Sequence, residues 1–311
     1  MYYTYLRARQ FELIALRELA TEEALQGAVI PILEPVKKAL NNLTLAHTIF
    51  REKDQGAYLI VNPLVGELIG DGRHYLDYLT TLESDTYLIA FHYQANGNYI
   101  KECIGEYDLN DCLLICQNDL NVDDPDFKEL AGMDQICAFT LDDPGRNRSL
   151  SRYLRGLHKT CIRLDDPFER QIRNSDFLEI AEHRFSEEHL YFKEDHFSGF
   201  SDYTALPSQY SDGGSTPRAV VIHITYLNEQ DQIWIRHFTS KTNDSIANVQ
   251  GKFAEAASKA VTYCRAKGLS NSAIEELEHY FEDEHYPGLG MVKKISIKNH
   301  ILVVAEYLRN R

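Results

Sequence analysis

No stretch of the 311 residues approaches the ~20 consecutive apolar residues that a membrane-spanning helix requires, so no membrane association is expected. The opening Met1-Tyr2-Tyr3-Thr4-Tyr5 carries no basic segment followed by an apolar run, which argues against a secretory leader. The six cysteines form no CxxC pair, and no histidine stands at zinc-finger spacing from any of them. Cys137 and Cys161 lie inside apolar runs, where cysteine behaves as a small buried hydrophobe, and reduced thiols in a cytoplasm are the simplest account. Basic residues are scarce: 32 Lys and Arg face 47 Asp and Glu, a net charge of −15. Such a surface repels duplex nucleic acid and anionic lipid, so nucleic acid is not expected as a general direct ligand. Walker, dinucleotide-binding and nucleophile-elbow patterns are absent.

What the chain does contain is a regular succession of short apolar runs. They fall at Tyr3–Leu6, Val29–Val36, Tyr58–Leu64, Tyr87–Tyr93, Leu113–Gln117, Ile136–Leu141 and Thr160–Leu164. Each is apolar on both alternating faces, the mark of a strand buried on both sides, as in a parallel sheet. Helical spacing follows at Gln10–Ala24, Lys37–Phe50, His74–Leu82, Ser149–Leu157 and Phe177–Phe185, the last with Asp176 as its expected N-cap. Gly199–Tyr203 supplies an eighth strand. Seven or eight strands alternating with helices, without a glycine-rich first turn, favour a closed TIM-like (β/α) barrel over an open doubly wound sheet.

Beyond residue 198 the pattern changes. Ala219–Leu227 and Gln232–Phe238 alternate with period two around the turn Asn228-Glu229-Gln230-Asp231, which predicts an antiparallel hairpin. Val249–Lys267 reads as an amphipathic helix stopped by Gly268. Ile274–Phe281 and Ile297–Leu308 read as two more, separated by Pro287-Gly288. Tyr210–Pro217 is the most loop-like segment. The expected class is therefore α/β: one barrel-like domain over 1–311, with 1–205 as the βα repeat region and 206–311 as a β-hairpin insertion plus closing helices.

Several segments carry a family likeness. Tyr5-Leu6-Arg7-Ala8-Arg9-Gln10-Phe11-Glu12-Leu13 and Ile30-Pro31-Ile32-Leu33-Glu34-Pro35-Val36 open it. Gln171-Ile172-Arg173-Asn174-Ser175-Asp176-Phe177, Gly199-Phe200-Ser201-Asp202-Tyr203 and His237-Phe238-Thr239-Ser240-Lys241-Thr242-Asn243 extend it over nearly the whole chain. In these the sequence resembles the phage beta-protein family and its bacterial relatives. The resemblance implies a barrel-like fold and a two-gene module, active in phage conflict, with a small nuclease-like protein as partner. It implies no catalytic residues.

Candidate chemistry rests on the strand ends, where parallel barrels collect function. Arg7 and Arg9, Glu34, Asn62, His92 and Tyr93, Gln117 and Asn118, Asp142 and Asp143, and Asp165 and Asp166 close successive strands. Glu34 reads either as a partly desolvated acid–base group or as an ion pair with Arg7 or Lys37. Asp142 and Asp165, each in an Asp-Asp-Pro run, read either as ligands for Mg²⁺ or Mn²⁺ or as ordinary turn residues. Asp202 reads as a member of the same carboxylate ring or as a loop anchor. His237 is a candidate acid–base group and His223 a half-buried histidine, with Lys193 and Arg236 as candidate substrate contacts beside Arg7, Asn62, His92 and Asn118. Arg148, Arg152, Arg155 and Lys159 follow helical spacing, as a contact surface or a plain outer face. Two functions compete. One is a hydrolase or phosphodiesterase using Glu34, Asp165, Asp202 and His237 on a polar or phosphorylated substrate. The other is a non-catalytic recognition subunit that binds a nuclease-like partner or a phage component. The enzymatic reading requires Glu34, Asp142, Asp165 and Asp202 to share one opening.

Overall fold

The two-sided apolar runs become strands because both of their faces find a core: inward side chains fill a barrel and outward ones lie under helices. The computed structural model describes residues 1–70, 72–213 and 217–311, so part of the loop expected at Tyr210–Pro217 lies outside the described residues. Eight parallel strands close the barrel. They are β1 (Tyr2–Leu6), β2 (Ile32–Leu33), β3 (Ala57–Ile60), β4 (Tyr87–Tyr93), β5 (Cys112–Cys116), β6 (Ile136–Asp142), β7 (Thr160–Leu164) and β9 (Gly199–Asp202). Tyr3, Tyr5, Ile32, Tyr58, Ile60, Leu113, Ile115, Ile162 and Leu164 fill the interior. Cys161 is buried as expected, while Cys137 is only half-buried. At Gly199 the closing strand passes so near β1 that an added Cβ would lie 2.5 Å from the Tyr3 ring, which only glycine avoids.

The outer helices are α1 (Gln10–Thr21), α2 (Asn41–Glu52), α3 (Gly72–Thr80), α4 (Gly97–Glu106), α5 (Pro125–Gly132) and α6 (Arg148–Gly156). α4 and α5 are not among the helices expected from periodicity. Each presents a single short apolar patch, Ile100, Cys103 and Ile104 in α4 and Phe127, Leu130 and Ala131 in α5. Of the run Val29–Val36 only Ile32–Leu33 form a strand, with Val29 making an isolated parallel bridge to Tyr2, because Pro31 and Pro35 have no N–H to donate.

After β7 the chain leaves the barrel. The expected helix Phe177–Phe185 is instead a 3₁₀ turn at Asn174–Leu178 followed by β8 (Glu182–Ser186). Asp176 is not an N-cap; it sits inside that turn and accepts the Arg173 N–H at 3.1 Å. A short α7 (Glu188–Tyr191) returns the chain to β9. The hairpin forms as expected, β10 (Val221–Leu227) with β11 (Ile233–Thr239), but it adds β8 as a third antiparallel strand. The small sheet therefore crosses the 205/206 boundary, since β11 needs a partner for its second edge.

α8 (Val249–Lys267) and α9 (Ser272–Glu282) cover one face of this sheet. α10 (Leu289–Arg309) begins eight residues before the helix expected at Ile297. Gly288, at φ +94, makes the break. The lysines at the start of α10 disguise a buried segment, because carboxylates meet them there. Lys293 binds Glu12 at 2.6 Å, Lys294 binds Glu18 at 2.8 Å and Glu276 at 2.7 Å, and Lys298 binds Glu22 at 2.6 Å. These pairs tie α10 to α1 and α9, and the Lys294 side chain is only 2% exposed. Among the described residues, no helix is long and apolar enough to cross a membrane. Lys294→Ala leaves Glu18 and Glu276 half-buried with fewer partners. It should lower unfolding free energy by about 2–3 kcal/mol in urea titration, the low end for a broken buried pair because both glutamates keep some solvent.

Candidate functional site at the barrel mouth

Strand parity decides which polar residues reach the mouth. One two-residue step beyond the last inward residue of each strand gives Arg7, Glu34, Asn62, His92, Gln117, Asp142, Asp166 and Tyr203. Asp165 and Asp202 have the opposite parity and point out of the barrel. Asp165 receives the Arg163 guanidinium at 2.8 and 3.1 Å, and the same arginine pairs with Asp195 at 2.9 Å and with Glu188. Asp202 is buried between the barrel wall and α10. It accepts the Tyr2 hydroxyl at 2.6 Å and the Thr204 N–H at 2.8 Å, with His300 Nε2 at 3.3 Å. Burial works against its charge, but His300, Tyr2 and the Thr204 N–H hold its pKa below the ordinary value. The expected ring of four carboxylates is therefore corrected: Glu34 and Asp142 face the mouth, while Asp165 and Asp202 bolt the outer wall.

Glu34 is the hub of one half of the mouth. Fully buried, it pairs with Arg7, accepts the Tyr5 hydroxyl at 2.8 Å and the Leu64 N–H at 2.8 Å, and has His92 Nε2 at 3.4 Å. Lys37, the other expected partner, pairs with Glu67 instead. Because the Tyr5 proton goes to Glu34, His92 Nε2 must carry its own proton to bond the tyrosine oxygen at 3.1 Å. His92 Nδ1 is then a bare acceptor, buried and without a partner among the described residues. Burial first, and the Arg7 charge second, push the His92 pKa down to about 3, since the Glu34 charge is already matched by Arg7. Asn62 fixes His92 from behind. Its carboxamide donates to the His92 carbonyl and accepts the His92 N–H, both at 2.8 Å, extending the β3–β4 ladder by one side chain. Both amide groups are thus occupied, so Asn62 positions His92 instead of offering a free substrate contact.

The other half of the mouth holds Asp142. Its Oδ2 accepts the Asn118 amide at 3.2 Å. Burial, then the charges of Asp143, Asp165 and Asp166, push its pKa up to about 6. Tyr203 joins the halves. Its ring lies 4.9 Å from that of Tyr5, and the Arg7 guanidinium sits over both, 5.0 and 5.6 Å from the two centroids. The metal expectation for Asp142 and Asp165 does not fit, because the two carboxylates lie on opposite faces of the barrel wall. Among the described residues, no cluster of three or more His, Cys, Asp or Glu side chains could hold a metal ion.

The remaining candidates lie elsewhere. Lys193 precedes β9, at the opposite end of the barrel, where its charge, after burial, depresses the Met1 amino group. His237 sits on the small sheet in a chain of three imidazoles, its Nδ1 2.7 Å from His223 Nδ1 and its Nε2 3.2 Å from His183 Nε2. Burial, then His223 and His183, push its pKa down to about 2, so it stays neutral under Phe168 and Phe177. Arg236 points to the other face of that sheet, over Tyr263 at 4.3 Å and paired with Glu182 at 3.1 Å. The basic stripe also breaks up. Arg155 donates to Ser151 and Asp195 carbonyls and Lys159 to the Ala131 and Met133 carbonyls, leaving Arg148 and Arg152 exposed.

Residues 204–213 form a strap across the mouth. Arg7 holds the Ser208 carbonyl at 2.6 Å, Arg9 holds the Ser211 carbonyl and stacks over Tyr210, and Ser208 Oγ donates to Asp166. A cavity of about 450 Å³ opens between the loops after β4 and β5, with Asn118 as the wall it shares with Asp142. Tyr5, Tyr203 and Ser208 were not singled out from the sequence as site residues. Counting by twos along β1 and β9 would have found the first two; Ser208 has no such signal. No protein-family description, curated protein or solved structure matches the chain. The site therefore rests on its own geometry.

The elevated Asp142 pKa has a direct consequence for stability. Between its ordinary value of 3.8 and about 6, the folded state binds more protons than the unfolded state, so raising pH through that window destabilises the fold. Asp142→Asn removes this loss. Relative to the parent, the variant should gain on the order of 1 kcal/mol between pH 4 and pH 7 in denaturant titrations, allowing for solvent at the carboxyl. A pH-independent difference would contradict the placement of Asp142.

Proposed function

We propose that the protein is a hydrolase acting on a small polar substrate at the barrel mouth, with Asp142 as the proton-transfer group. The observation that carries this reading is a carboxyl with a pKa near 6, hydrogen-bonded to Asn118 at the wall of an open cavity, at the end of the barrel where parallel strands deliver side chains. Such a group can protonate a leaving oxygen below pH 6 and accept a proton from water above it. Glu34, Tyr5, His92 and Asn62 supply a rigid floor rather than the reacting group, because each is held by its neighbours. A phosphorylated substrate is disfavoured, since Arg7, the one cation of the inward ring among the described residues, is already neutralised by Glu34, while Asp142, Asp143 and Asp166 crowd the rim against the single charge of Arg146. The competing reading as a recognition subunit draws on the family resemblance, with the outer helices or the hairpin as its surface; of the basic stripe on those helices, Arg155 and Lys159 are taken up by backbone carbonyls. The two-gene setting and the nuclease-like partner implied by the family resemblance are compatible with this proposal; the chemistry of the mouth does not require them.

Chromogenic p-nitrophenyl esters and glycosides, with bis(p-nitrophenyl) phosphate as the anionic comparison, provide the test. Asp142→Asn should reduce turnover by about 100-fold or more and abolish the limb of the pH–rate profile near pH 6, with His237→Asn retaining that limb. Full activity in Asp142→Asn would sink the proposal.

A further inference from the structure

Building on the proposed hydrolase, we infer that the cavity beside Asp142 is a sugar subsite, and that the substrate is a neutral glycoside. The cavity is about 450 Å³, within the range of small-molecule sites. Its lining is dominated by carboxamides: Gln94, Gln117, Asn118 and Asn121, with Asp119 beside them. Each carboxamide presents a donor and an acceptor side by side, the complement of neighbouring hydroxyl groups that both donate and accept. Among the described residues, the side chains of Asp119, Gln94 and Gln117 have no hydrogen-bond partner, although Gln117 is half-buried and belongs to the inward ring of the mouth. The Gln117 carboxamide is open to the cavity, free to bond a ligand there without giving up a partner in the fold.

Charge and shape narrow the ligand. No Lys or Arg is among the described residues lining the cavity, which disfavours phosphate or carboxylate groups. A planar base would need an aromatic or guanidinium face to stack on. Tyr93, the one aromatic in the wall, is 3% exposed and holds Asp124 Oδ2 at 2.6 Å, so it forms the floor and offers no open face. A puckered, uncharged ring bearing hydroxyls meets both conditions. Asn118 stands between this ring and the reacting bond. It lines the cavity and hydrogen-bonds Asp142, so a sugar seated there lies one side chain away from the proposed proton-transfer carboxyl.

The probes are methyl glycosides of glucose, galactose, mannose and N-acetylglucosamine, with inorganic phosphate and methylamine as charged comparisons. They are titrated into the ¹⁵N-labelled full chain while the side-chain amide resonances are followed. At least one glycoside should shift the amides of Gln94, Gln117 and Asn118, and Gln117→Ala should weaken its binding about tenfold. Gln94→Ala, at an exposed position, should weaken it as well and guards against a folding defect in the first variant. Silent amides with every glycoside, or shifts produced only by methylamine, overturn the inference. The two proposals fail separately. Glycoside binding without turnover of any chromogenic ester or glycoside removes the hydrolase and leaves the subsite. Turnover of an ester with silent amides removes the subsite and leaves the hydrolase.

Discussion

Alternation of side chains along a closed parallel strand governs everything else in this protein. Once eight strands form a barrel, each residue is committed to the interior or to the outer wall, and a shift of one position reverses its fate. Asp165 and Asp166 are neighbours in sequence with similar chemistry. Leu164 occupies the interior, so Asp165 meets Arg163 on the outer wall and Asp166 meets Ser208 at the mouth. The same rule separates Asp202, under α10, from Tyr203, stacked on Tyr5.

Within the mouth, a single buried carboxylate organises its surroundings. Glu34 gathers Arg7, Tyr5, the Leu64 N–H and His92, and through Arg7 it reaches the Ser208 carbonyl of the strap. A charge buried at this depth persists only with several partners, and those partners become rigid in providing them. The consequence is a division of labour. One half of the mouth is a fixed polar lattice; the other, around Asp142 and Asn118, is more open and has a carboxyl held away from its usual ionisation. In the proposed hydrolase, reliance on a carboxyl that the fold would prefer to keep neutral is a compromise between stability and function.

The small sheet and α10 follow a different logic. They absorb polar residues that look reactive in isolation. His183, His223 and His237 bond one another beneath two phenylalanines, and His300 bonds Asp202. The lysines of α10 are matched by glutamates from α1 and α9. These contacts join the closing segment to the barrel. The segment is therefore part of the barrel's wall, although its sequence pattern differs from that of the βα repeats.

The sequence by itself determined the strands, the barrel class, the hairpin, the Gly268 stop and the polar character of the strand ends, because these depend on local periodicity and on residues with restricted backbones. Glu34 at the mouth was legible in the same way, standing two residues beyond inward Ile32. Tertiary structure alone decided which of two adjacent aspartates faces inward, which cation meets each carboxylate and how far Asp142 is desolvated. It also recruited 182–186 as a strand rather than a helix, since β11 offered an open edge, and made the lysine-bearing start of α10 a buried helix. In each case the deciding partner lies far away along the chain, as Ser208 does from Arg7 and His300 from Asp202, and local pattern carries no record of such distances.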